Sequence, residues 1–110
     1  MSRTNLQIDV TECEDVSASH GLASPKTMNK LGQLQPGCRS VYNADHQTLV
    51  ALLAWLAETR RAGFNKWVAH GLARCTAEAI ILRNPSDFRD QKLRSSCEQR
   101  LREHGLDADR

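Results

Sequence analysis

Aromatic side chains are scarce in this sequence: two Trp, two Phe and one Tyr make up 5% of its 110 residues. Any core must come mainly from Leu, Ala, Val and Ile, which a hydrophobic share of 40% permits. Long apolar runs are also missing. The longest nearly apolar stretch covers nine residues, 49–57, whereas a bilayer-spanning helix needs roughly 20, so no membrane partner is expected. Charge of one sign does not dominate: 15 Lys and Arg against 13 Asp and Glu leave +2, which excludes a histone-like or strongly acidic protein. Cys13, Cys38, Cys75 and Cys97 stand 25, 37 and 22 positions apart, so no Cys-x-x-Cys pair exists for zinc or thioredoxin-like chemistry. Residues 1–7 lack the apolar stretch of a secretory signal. A cytoplasmic location with four reduced, buried thiols is therefore expected.

The length allows one domain with one core. Residues 1–40 hold Gly21, Gly32, Gly37, Pro25, Pro36 and scattered Ser and Thr, and read as an irregular or disordered N-terminal arm. Within it, Leu6-Gln7-Ile8-Asp9-Val10 alternates with period two, the pattern of a short strand or extended docking segment. Asp9, Glu12, Glu14 and Asp15 make that segment acidic.

The pattern changes after Tyr42. Asn43 or Asp45 can cap a helix over 44–61 whose Leu49, Leu52, Leu53, Leu56 and Ala57 share one arc. Gly63 and Asn65 supply a stop and a new cap, predicting a second helix over 66–82 folded back on the first. Asn84-Pro85 reads as a further cap and first helical position, opening a third helix over 85–104 that Gly105 ends. The expected fold is all-α: a three-helix domain over 41–106, made of an antiparallel helical hairpin plus a third helix, with 107–110 frayed. His-Gly-Leu occurs at His20, His70 and His104, but the spacings of 50 and 34 disagree, so the recurrence reads as coincidence.

Between residues 60 and 102, ten basic residues face four acidic ones, leaving +6. Asp90, Arg94, Glu98 and Arg102 alternate in sign every four positions, as a solvated salt-bridge ladder does. Arg60, Arg61, Lys66, Arg89, Lys92 and Arg100 remain as candidate phosphate contacts for a nucleic acid. A helix-turn-helix fits poorly, because Lys66-Trp67-Val68-Ala69 is too apolar to open a recognition helix.

Cys13, His20, Cys38 and His46 are the only loosely grouped sulfur and imidazole donors, and the nearest two are seven apart, so no metal site is predicted. Cys75 and Cys97 fall on apolar stripes and read as packing residues. No phosphate loop, His-Glu-x-x-His or nucleophile elbow occurs, so no catalytic residue, cofactor or enzymatic activity is expected. Trp55, Trp67, Ile81 and Phe88 are more bulky apolar groups than three short helices can hide. They are the candidate anchors of a small, non-enzymatic regulatory protein that binds a partner protein or a second copy of itself as a homodimer. Nucleic-acid binding through the basic region is the alternative.

Overall fold

The computed structural model describes residues 4–22, 25–38, 40–59 and 61–106, the side chains of 25–27 and 61–63 excepted. Among them are six α-helices, two 3-10 turns and no strand: α1 (Asn5–Ser19), α2 (Pro25–Leu34), α3 (His46–Thr59), α4 (Arg61–Ala69), α5 (Ala77–Arg83) and α6 (Gln91–Glu103). The 3-10 turns are Val41–Asn43 and Ala73–Cys75.

The all-α expectation holds, but the irregular arm does not, because α1 and α2 lie within it. Thr4 and Gln7 close a capping box: Thr4 Oγ1 accepts from the Gln7 amide at 3.2 Å, and Gln7 Oε1 accepts from the Thr4 amide at 2.9 Å. From there Leu6, Val10, Cys13 and Ser17 are buried at helical spacing. Ile8, which completed the apparent period-two pattern, lies on the outer face at 43% exposure. Pro25 is the first residue of α2, where its missing N–H is harmless, and Leu31 is buried.

The three His-Gly-Leu tripeptides each end a helix in the same way. Leu22, Leu72 and Leu106 donate to the carbonyls of Ser17, Trp67 and Leu101, each at 2.9 Å. Gly21, Gly71 and Gly105 donate to those of Ala18, Val68 and Arg102, each at 3.0 Å. This is the paired bonding of a Schellman cap. It requires a left-handed residue, and Gly71 and Gly105 sit at φ 74° and 68°.

Consequently the single helix expected over 66–82 is two. Gly71 stops α4, and Thr76 starts α5 by accepting the Ala79 amide at 3.2 Å. Gly63 lies inside α4, whose Phe64 is buried. The helix expected from Pro85 begins only at Gln91, capped by Asp90, which accepts the Lys92 amide at 2.9 Å. Asn84 instead ends α5 as its C-cap, its side-chain amide donating to the Ile80 carbonyl at 2.7 Å and to Asp9 at 3.2 Å.

Helix α5 is central, packing against α1, α3 and α6. Its Ala79, Ile80 and Ile81 join Leu6, Val10, Leu49, Leu52, Leu53, Phe88, Cys97 and Leu101 in the interior. The 12.9 Å radius of gyration matches the roughly 13 Å of a folded chain this long. No helix among the described residues is long and apolar enough to cross a membrane.

Candidate functional site

The densest polar cluster lies on the seam between α1 and α5. Asp9, one turn before Cys13, receives a fork from Arg83: Nε to Oδ2 at 3.1 Å and Nη2 to Oδ1 at 2.8 Å. Asn84 adds a third bond to the same carboxylate. Cys13 Sγ stands 3.8 Å from Asp9 Oδ1, from Arg83 Nη2 and from the Arg74 carbonyl. Directly after Arg74 comes Cys75, the last residue of the second 3-10 turn.

The two sulfurs are not equivalent. The bond to Cys75, followed by burial, pushes the Cys13 thiol up, and the Asp9 charge adds to this. Cys75 is drawn below the ordinary thiol value by the hydrogen bond from Cys13 and then by the Arg74 and Arg83 charges, against burial.

Both sulfurs line an apolar cavity of about 110 Å³ bounded by α1, α3, α4 and α5. Ser17 and Trp67 close one wall, the indole N–H donating to Ser17 Oγ at 2.7 Å. Glu14 and Glu78 also reach the cavity, and burial raises both carboxyls. The arrangement sets two thiols and two carboxyls around a small, mainly apolar space.

A second polar group joins Thr4, His46 and Asp87. Thr4 Oγ1 lies 3.0 Å from His46 Nδ1, and His46 Nε2 lies 2.7 Å from Asp87 Oδ1. Hydroxyl, imidazole and carboxylate stand in the order of a nucleophilic relay. Thr4 Oγ1 is already the cap of α1, and the three line neither this cavity nor the polar cleft of about 280 Å³ between α4 and α6. They act as a clip holding the start of α1 to the start of α3 and to the turn after α5.

The sequence-derived anchors fare unevenly. Ile81 and Phe88 are core residues, 0% and 3% exposed, and cannot be surface anchors. Trp67 is half-buried and committed to Ser17, while half-buried Trp55 lies 5.3 Å beneath Lys30 Nζ. The bulky apolar groups that do reach the surface are Ile8, Val16, Leu34 and Tyr42, and Tyr42 Oη donates to Asp15. Sequence reasoning missed Ile8, Val16 and Leu34 because it gave residues 1–40 no surface of their own, and Tyr42 because it precedes the first expected helix.

Of the phosphate candidates, Arg60 lies outside the described residues, as does the side chain of Arg61. Lys66, Arg89 and Lys92 are exposed. Arg100 is withdrawn inward: it pairs with buried Glu78, donates to the Ala57 carbonyl at 2.8 Å and lies 5.9 Å over the Phe64 ring. The expected ladder on α6 is replaced, with Asp90 serving as cap and Arg94 turning to the carbonyls of Ile81 and Phe88 at 3.2 and 3.4 Å.

The four loosely grouped metal donors do not converge. Cys13 joins the Asp9 cluster, Cys38 donates to the Ser40 carbonyl, His20 packs edge-on to His70, and His46 belongs to the clip. All four cysteines are free and buried. Compared with known protein families, curated proteins and solved structures, the chain matches none.

Proposed function

We propose that this chain is a small, non-enzymatic regulatory protein of the reducing cytoplasm that binds a partner protein through the outer face of α1. The observation that carries this reading is the make-up of that face. Ile8 and Val16 are exposed two turns apart, opposite the buried stripe, with exposed Glu12 and Asp15 between them and Tyr42 alongside. Of the four acidic residues of α1, Glu12 and Asp15 lie on this face, Asp9 being paired with Arg83 and Glu14 lining the cavity, and the helix has neither Lys nor Arg. Apolar anchors ringed by negative charge suit a cationic amphipathic helix. A symmetric dimer through this face would oppose like charges, which favours a different partner over a second copy.

The nucleic-acid alternative rests on Lys66, Arg89 and Lys92, with Arg100 engaged in its ion pair. A Lys- and Leu-rich amphipathic peptide, titrated against the full chain, tests the two readings together with duplex DNA. Peptide binding is expected to weaken at least roughly tenfold in an Ile8→Asp, Val16→Asp variant with unchanged circular dichroism. Unaltered peptide binding in that variant, or DNA binding that falls steeply with salt, overturns the proposal.

A further inference from the structure

The cavity of about 110 Å³ is walled mainly by hydrocarbon, from Val10, Leu52, Leu53, Leu56, Phe64 and Ile80. A cavity of roughly 150 Å³ in an apolar protein interior holds benzene, so a body of about five carbon atoms fits this one. The hydroxyls on its wall are already committed. Ser17 Oγ donates to the Cys13 carbonyl at 2.7 Å and accepts from the Trp67 indole at 2.7 Å. Thr76 Oγ1 donates to the Ala73 carbonyl at 2.7 Å and accepts from the Ala79 amide at 3.2 Å. The two carboxyls on the wall differ. Glu78 is held by Arg100, whereas half-buried Glu14, at the edge of the buried stripe of α1, has no hydrogen bond or ion pair among the described residues. Two acids against one guanidinium leave the wall with one negative charge in excess. Burial raises the Glu14 carboxyl for want of a partner. A ligand that suits both features carries hydrocarbon at one end and a single positive charge at the other.

We propose that this cavity is a binding site for a small primary ammonium compound with a short branched or cyclic hydrocarbon body, the body filling the cavity and the ammonium pairing with Glu14. A charge-assisted bond to a half-buried carboxylate is worth more than the same bond at the open surface. A neutral molecule of the same shape gains only the burial of its hydrocarbon, and an anion is repelled by Glu14. The site lies on the inner side of α1 and is separate from the outer-face binding proposed above.

Three probes of nearly one shape test this on the full chain by isothermal titration calorimetry at neutral pH: isoamylamine, isoamyl alcohol and isovalerate. The amine is expected to bind at least roughly tenfold more tightly than the alcohol, and isovalerate more weakly than either. In NMR spectra the amine should shift the Trp67 indole and the Leu53 amide and leave the Trp55 indole unmoved. Glu14→Gln should bring the amine down to the affinity of the alcohol, with binding of the alcohol itself unchanged. Equal affinities for amine and alcohol in the wild type, binding of none of the three, shifts centred away from the cavity, or an amine preference that survives Glu14→Gln would overturn the proposal. The wild-type comparison and the shift map need no variant to fold.

Discussion

Helices α1 and α6 are tied to α5 by the same device, a pair between an arginine and a carboxylate, but the two clasps are built at different depths. In the α1 clasp, Asp9 and Arg83 are 17% and 16% exposed, and the carboxylate receives a fork plus an Asn84 amide. In the α6 clasp, Glu78 is 3% exposed and meets Arg100, which is shared with the Ala57 carbonyl. The shallow clasp keeps its carboxylate well solvated by donors. The deep one does not, and burial raises the Glu78 carboxyl despite the neighbouring cation. Burial thereby ties the deep clasp to pH through Glu78.

The sharpest way to separate them is to remove the cation from each. Arg100→Ala strands a buried carboxylate and is expected to cost about 4 kcal/mol at neutral pH by urea denaturation. That loss should shrink in acid. Folding raises the Glu78 carboxyl, so its contribution to stability is complete below its ordinary value of 4.5 and declines as pH rises through the raised folded value. Glu78→Gln should flatten that slope, whereas a slope unchanged by Gln would assign it to another group.

The next effect belongs to the layer beneath the α1 clasp. Leu6 is fully buried, and Leu6→Ala should cost about 3 kcal/mol in the same assay, as for an interior residue. Arg83→Ala, at the rim, should cost about 2 kcal/mol. Equal losses for the two arginine variants at neutral pH would erase the distinction between deep and shallow clasps. Smallest is Gly105→Ala at φ 68°, expected to lower stability by about 1 kcal/mol through the cap of α6 alone.

The same contrast explains what could be read from the sequence. Helix α3 was legible because Leu49, Leu52 and Leu53 mark its inner face, and the end of α6 because Gly105 follows His104. Helix α1 was not, since its buried stripe finishes on Cys13 and Ser17, side chains too small or polar to signal a core. Thr4-x-x-Gln7 was the available signal for its start, and the recurrence of His-Gly-Leu was the available signal for the stop inside 66–82. The cavity that Cys13 and Cys75 share had no local signature, because tertiary packing alone brings α1 beside the second 3-10 turn. Nor did the inward turn of Arg100, which depends on Glu78 being buried on another helix.

Native-state amide hydrogen exchange tests most directly whether α1 is a core element on equal terms with α5. The amides of Val10 and Cys13 are predicted to open with the same free energy as those of Ile80 and Ile81. Exchange of the α1 amides at nearly unprotected rates, while α5 stays protected, would contradict the account.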